Sequence, residues 1–356
     1  MSVTGQITLK DRVLRAGTWS LGGFAVAQAI RLGGNLIMTR LLMPEMFGVM
    51  AIAGMFLAAL VLFSDVGLLQ SVVQNKRGDD SAFLNTIWVV QIRRGVLIGI
   101  CAIGLSLAFH FANRFRFVPV ASVYADPNLP YVMVALSIVA VIGGFNSTKL
   151  LEANRNLALR RITQIELFAQ FAGFLSMLAW AAVDPTIWSL VAGFVCPPVV
   201  RLILSHFWLE GTPNRWQWDS TAFREILHFG KWIVLSSVLG FLVNNGDRLF
   251  LGWMTDATVL GVYTVAFYFY NGVEQVVFKL INDVAFPALS EVIRARPDTL
   301  KSTYYKFHTV IASLTYFSSG LLMVFGSALI QNLYDPRYVQ AGWMLQVLAV
   351  ALLTIP

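Results

Sequence analysis

Apolar residues run along this chain in blocks of about twenty, the length at which a helix crosses a bilayer core. Ten such blocks separate near residues 17–39, 47–69, 88–110, 129–146, 162–183, 186–206, 229–252, 258–281, 307–331 and 339–356. All ten are predicted to be helices, because an open strand leaves its N–H and C=O groups without partners in lipid. The pattern is that of an all-α polytopic membrane protein. Its polar breaks are short. Phe111–Pro130 is predicted to face outward, and Phe207–His228 and Asp283–Lys306 inward. Trp208, Trp216 and Trp218 suit an interfacial belt beside an amphipathic helix that leads into the seventh span.

The opening block recurs. A shift of 213 residues lays Gly230–Phe269 over Gly17–Phe56 without a gap, and Gly17/Gly230, Trp19/Trp232, Gly33/Gly246, Leu36/Leu249, Gly48/Gly261, Val49/Val262, Ala53/Ala266 and Phe56/Phe269 coincide. Shared apolar composition alone gives roughly three matches in such a window. The expected organisation is a bundle of six spans over residues 1–206, a cytoplasmic linker with an amphipathic helix over 207–228, and a second bundle over 229–356. Six spans precede the linker, so both halves start from the same side and the repeat is parallel. The second half holds only four spans and ends within an apolar run, which suggests that further C-terminal helices are missing.

Composition and charge sharpen this. Hydrophobic residues are 57% and charged residues 13% of the chain, with mean hydropathy +0.68, against about a quarter charged in soluble domains. A net charge of +7 therefore speaks of topology rather than of nucleic acid. With the N-terminus in the cytoplasm, sixteen Lys and Arg fall inside, Lys76 and Arg296 among them, against Arg40, Arg114, Arg116 and Arg337 outside. That bias fixes the orientation. The segment with Lys10, Asp11, Arg12 and Arg15 reads as an amphipathic lead-in and not a cleavable signal. Cys101 and Cys196 lie in apolar runs and read as small buried hydrophobes. The four histidines stand singly, no Walker loop is present, and Asp79-Asp80 has no soluble catalytic domain around it, so an enzyme is not expected.

Three stretches carry a resemblance. Arg31 followed by TRLLMPEMFGVMAI (Thr39–Ile52) and FSDVGLLQSVVQ (Phe63–Gln74), LLEANRNLALRRITQIE (Leu150–Glu166), and NNGDRLFLGWMTDATVLGVYTVAFYF (Asn244–Phe269) resemble the oligosaccharide (Wzx-type) flippases. These are the polysaccharide transporters of the multidrug/oligosaccharidyl-lipid/polysaccharide exporter superfamily. The resemblance implies two pseudo-symmetric helix bundles around a central cavity, here six helices plus an incomplete set of about four. It implies movement of undecaprenyl-diphosphate-linked oligosaccharide across the bacterial inner membrane by alternating access, for surface polysaccharide export. Its implied partners are that lipid-linked oligosaccharide, membrane lipids, and a polysaccharide polymerase with its export machinery. No cofactor is implied; relatives couple transport to H⁺ or Na⁺.

Charges inside spans are the functional candidates. On the first span Gln28, Arg31 and Asn35 share a ~60° arc, while Gly23, Ala27 and Gly34 form a separate small-residue face about 90° away. Arg31 reads either as a cavity cation that grips a diphosphate through its planar fork or as a structural partner between helices. On the equivalent helix Asn244, Asp247 and Arg248 lie on a ~100° arc. Asn244 takes the repeat position of Arg31, and Arg248 binds substrate or pairs with Asp247. On the eighth span Asn271, Glu274, Gln275 and Asn282 form a polar stripe with Lys279 at its edge. Glu274 and Asp247 are the candidates for ion coupling, a Glu274–Lys279 bridge being the alternative. Asp65 reads as a turn or cap residue, and Glu166 with Gln170 as cavity-lining. Of Arg93 and Arg94, one is expected at the cytoplasmic interface and one in the cavity. Arg155, Arg160 and Arg161 read as orientation signals that meet anionic lipid heads. The competing functions are a cation-coupled drug antiporter of the same superfamily and a membrane polymerase or ligase of lipid-linked sugars. Deep carboxylates would favour the first, and a large outer loop the second.

Overall fold

The computed structural model describes residues 9–355 apart from Val66, Lys76, Leu157 and Arg296. Lys76 and Arg296, counted above as inner-face charges, thus lie outside the described residues, as do the side chains of Lys10, Arg12, Arg15, Lys231 and Arg294. Thirteen α-helices follow one another among the described residues, with no strand. They are α1 (Leu9–Leu41), α2 (Pro44–Phe63), α3 (Leu68–Gln74), α4 (Ser81–Arg114), α5 (Leu129–Gly144), α6 (Lys149–Arg155), α7 (Leu159–Val183), α8 (Ile187–Phe207), α9 (Ser220–Met254), α10 (Ala257–Leu280), α11 (Phe286–Ala295), α12 (Leu300–Leu333) and α13 (Ala341–Ala351).

By length and apolarity α2, α4, α7, α8 and α12 can each cross a membrane, and α5 with α6 makes a sixth candidate, bent by 63° at the break. Helices α1, α9 and α10 have 33, 35 and 24 residues, enough for a crossing of ~20. The interior charges Arg31, Asp247, Arg248, Glu274 and Lys279 lower their hydropathy. The 213-residue shift is carried by the element ends. It takes Leu41, the end of α1, to Met254, the end of α9, and Pro44, the start of α2, to Ala257, the start of α10. It also takes the 3-10 turn Val123–Ala125 to the turn Pro336–Tyr338. Ser106 goes to Ser319, two buried hydroxyls that each donate to the next long helix, at Pro130 O and Ala349 O, both at 2.7 Å.

By contacts the chain falls into two compact units, Met1–Leu42 with Val49–Ala257, and Met43–Gly48 with Thr258–Pro356. In the first unit small residues set the helix spacing, as close packing in lipid requires. A Cβ on Gly95 of α4 would lie 2.6 Å from Ala140 O of α5, and one on Gly144 would lie 3.0 Å from Gln91 O. Gln91 Nε2 adds bonds to Gly143 O, Gly144 O and Asn146 O at 3.0–3.2 Å, which satisfies carbonyls freed where α5 ends. Gly173 of α7 meets Pro197 and Gly193 of α8. The small-residue face of α1 packs on α7: Gly23 meets Thr163, Gly34 meets Phe174, and Gln170 Nε2 donates to Ala27 O at 2.9 Å.

The outer face of α4 is a stripe of exposed Val96, Leu97, Ile100, Ile103, Leu107 and Phe111. Cys101 is exposed beside it, a correction to its reading as buried. In a bilayer the outward surface is as apolar as the interior, so an apolar run does not distinguish the two. In the second unit α12 packs on α13 and α11. Phe47, Tyr334 and Tyr338 form an aromatic group with ring centroids 6.1–6.2 Å apart.

Loops and linker meet at one end of the first unit. Asp80 and Asp219 cap α4 and α9 by accepting from Ala82 N and Thr221 N, as N-cap carboxylates do. Arg77 Nη2 reaches both, at 2.8 Å each, and Nη1 reaches Glu225 at 3.5 Å. The hydrogen bond from Arg77, helped by the capped amides, holds both aspartates below the usual carboxylate range. Residues 212–219 are tied to α4, α6 and the bend after α5 by Arg215 N to Asn85, Asp219 N to Thr86, Thr212 to Glu152 and Asn214 to Thr148. Arg155, read as an orientation signal, also caps α3. Its Nη1 donates to Val72 O, Val73 O and Asn75 O, and Nε pairs with Asp79 at 3.2 Å.

Candidate functional site

With its glycine face against α7, α1 turns Arg31 into a chamber of about 400 Å³. The walls come from α1 (Arg31), α5 and the residues after it (Val139, Gly143, Asn146), α7 (Glu166, Ala169, Gln170) and α8 (Pro197, Pro198, Arg201). Arg31 is exposed, and among the described residues its guanidinium has no hydrogen-bond or ion-pair partner. Gln28 and Asn35 are half-buried on the same helix and are not among the lining residues. Glu166 Oε1 pairs with Arg201 Nη1 at 3.2 Å. Among the described residues Arg201 Nε and Asn146 Oδ1 are buried without a hydrogen-bond partner, which in a native site calls for an explanation such as a ligand.

A second chamber of about 390 Å³ shares Val139, Gly143, Asn146 and Arg201 with the first, and adds Asp65, Gln70, Gln91 and Arg94 among others. Arg94 is the cavity member of its pair. Its Nη2 donates to Val61 O at 2.8 Å, Nε to Ser64 Oγ at 3.1 Å and Nη1 to Asp65 Oδ1 at 3.5 Å. Arg93 turns away to stack over Trp218, 4.5 Å from the ring centroid. Asp65 also accepts from Gly67 N at 3.1 Å. It thereby fixes the turn at which Gly67, with φ 66°, opens α3; that is the turn role read from the sequence, with an ion pair added. Together the chambers hold three guanidinium groups against two carboxylates. A cationic surface of this kind selects anions that accept paired hydrogen bonds, phosphates above all.

The remaining candidates line neither chamber. On α9, Asn244 Nδ2 donates to Gly240 O at 2.7 Å, and Arg248 Nη2 donates to Asn245 Oδ1 at 2.5 Å and Asn244 O at 3.4 Å. Asp247 is exposed. On α10, Glu274 accepts from Tyr270 Oη at 3.0 Å and Asn271 Nδ2 at 3.2 Å, and Gln275 Nε2 donates to Asn271 Oδ1 at 2.5 Å. Neighbours on its own helix, rather than Lys279, hold Glu274. Arg201, Asn146 and Gln91 were not singled out from the sequence. Arg201 had a signal: it is the lone charge in the apolar run from Ile187 to Leu204, four residues beyond Pro197. Asn146 and Gln91 had none, since their roles depend on how α4 and α5 meet.

The helical spans and the cationic chambers among them define a membrane transporter in class. The model of the polysaccharide biosynthesis protein family matches residues 37–342, so the chain belongs to that family, the Wzx-type polysaccharide flippases, whose members are transporters and not enzymes. Among curated relatives, the lipopolysaccharide biosynthesis protein WzxC of Escherichia coli (strain K12) is 22% identical over 352 residues, 97% of this chain and 68% of its own length. A putative O-antigen transporter of Shigella flexneri is 22% identical over 290 residues, 79% of this chain and 67% of its own. The amylovoran biosynthesis protein AmsL of Erwinia amylovora is 20% identical over 272 residues, 74% of this chain and 66% of its own.

Proposed function

We propose that this protein moves undecaprenyl-diphosphate-linked oligosaccharide from the inner to the outer leaflet of the bacterial cytoplasmic membrane by alternating access, for export of a surface polysaccharide. The observation that carries the reading is Arg31, a guanidinium on an expected span with no partner among the described residues, facing a chamber whose other cation is only loosely paired. An unpaired charge within the membrane is costly enough to imply a ligand, and the diphosphate is the charged part of this cargo. The N-terminus lies in the cytoplasm, supported by the sixteen Lys and Arg of the segments placed inside against four outside. Residues 1–206 and 229–356 act as the two halves of the transporter, joined by the linker 207–228. Gln28, Arg31, Asn35, Asn244, Arg248 and Gln275 contact cargo during the cycle. Glu274 and Asp247 couple it to H⁺ or Na⁺.

The test is made in cells lacking the gene, by mass analysis of extracted lipids. An undecaprenyl-diphosphate oligosaccharide accumulates, and the wild-type gene relieves it where Arg31→Ala does not. Loss of a charge-assisted fork of about 1.5–3 kcal/mol lowers cargo affinity by roughly 10- to 150-fold. Normal surface polysaccharide with a stably inserted Arg31→Ala protein removes Arg31 from the site. Intact surface glycans and no accumulation in the deletion strain overturn the flippase reading in favour of the antiporter branch.

A further inference from the structure

The cations of the two chambers are held differently. Arg94 is fixed by three acceptors, Val61 O, Ser64 Oγ and Asp65. Arg201 has a single partner among the described residues, Glu166 at 3.2 Å, and its Nε is buried and unsatisfied. Among the described residues Glu166 in turn has Arg201 as its one partner. Both side chains are substantially exposed, at 40% and 47%, so the pair is screened and weak, as exposed ion pairs are. A phosphate brings more acceptor oxygens and as much charge or more to the same guanidinium, and can also satisfy the Nε that Glu166 leaves unmet.

We infer that Glu166 is an internal counter-ion, holding Arg201 in the anion-free protein and yielding it to a phosphate of the incoming ligand while Arg31 takes the other. Glu166 then acts as a positioning residue. It keeps the chamber from closing around stray anions, and by competing for Arg201 it speeds release of the diphosphate. This rests on the flippase reading and adds to it the competitor on which release depends.

The experiment measures binding of undecaprenyl diphosphate to the protein in nanodiscs of neutral lipid, with inorganic pyrophosphate as a second probe that lacks the polyprenyl chain. Glu166→Gln, nearly isosteric, binds both probes two- to fivefold more tightly than wild type and exports polysaccharide more slowly. A gain in affinity is an effect that damage to the fold does not produce. In an Arg201→Gln background the same substitution gives no gain. Unchanged or weaker binding by a Glu166→Gln protein of normal melting temperature overturns the counter-ion role alone. A gain that persists without Arg201 also overturns it, since Glu166 would then act only through its field. Wild-type protein that binds neither probe, in cells whose export survives deletion of the gene, overturns the flippase reading and this inference with it.

Discussion

Gly95 sits beside Arg94 on α4 and sets the distance to α5, so a single methyl group there tests the packing beneath the second chamber. In Gly95→Ala the new Cβ would stand 2.6 Å from Ala140 O and 3.0 Å from Gly144 Cα. Both are backbone atoms of α5 and cannot swing aside. Restoring ordinary contact distances of about 3.5 Å forces the helices apart by nearly 1 Å, a gap that forfeits a quarter to a half of each dispersion contact along the seam. Overpacking of this kind costs about 1–3 kcal/mol, against which removal of a helical glycine returns about 0.4–1 kcal/mol. The net is a loss centred on about 1.3 kcal/mol and at most about 2.6 kcal/mol. The same helix supplies the control: a Cβ on Gly104 meets nothing within 4 Å, so Gly104→Ala keeps the gain without the clash. Reversible unfolding in mixed micelles with increasing denaturing detergent should place Gly95→Ala below wild type and Gly104→Ala at or above it. Equal stability of the two variants would refute the argument that the α4–α5 distance is set by backbone contact at Gly95.

Two further outcomes follow from the belt at the loop end of the first unit. Arg155→Met removes the donor that caps α3 at Val72, Val73 and Asn75; charged hydrogen bonds at a partly exposed site make this a loss of about 1–2 kcal/mol. Faster amide exchange in 68–75, with α4 unaffected, checks it, and exchange unchanged there refutes the cap. Asp80 and Asp219 are held below the ordinary carboxylate range by Arg77. Lowered carboxyls contribute stability above their unfolded value, about 4, and lose it as pH falls through the folded one. Exchange protection at 75–80 and 212–225, corrected for intrinsic rate, should therefore fall in acid below about pH 4. In Arg77→Met that acid step should be gone, with protection already reduced at neutral pH; an unaltered acid step would show that other groups govern it.

The helices were legible because lipid leaves the backbone one solution, and the blocks of apolar residues locate them. The small-residue face of α1 was legible too. Gly23 and Gly34 fall on one side by helical period alone, and that side packs on α7. Period could also separate Arg93 from Arg94, adjacent residues that must point ~100° apart, although it could not say which entered the chamber. What stayed hidden depends on chain segments far apart in sequence. Glu166 and Arg201 meet only because Gly173 lets α7 lie against Pro197 of α8. The capping role of Arg155 is hidden because its partners, the carbonyls at the end of α3, are 80 and more residues away and carry no side-chain signature. The break after Asp65 likewise required a left-handed glycine inside what reads as one apolar run.

The repeat explains why Arg31 has no substitute. The 213-residue shift preserves helix ends, a 3-10 turn and a buried interhelical serine, so the scaffold of α1 and α2 recurs in α9 and α10. The charges do not follow it. Asn244 stands where Arg31 would be, and the guanidinium of the second copy, Arg248, lies one turn on at the register of Asn35. There Arg248 is engaged by Asn245 and the Asn244 carbonyl on its own helix, whereas Arg31 faces a chamber with no partner among the described residues. An arginine already bonded to its own helix must give up those bonds before it can grip a ligand, and one that is unpaired need not. The two copies thus have similar helices and unequal cations. A diphosphate entering the first unit meets its least encumbered donor at Arg31, so a loss there cannot be made good from the other copy of the repeat.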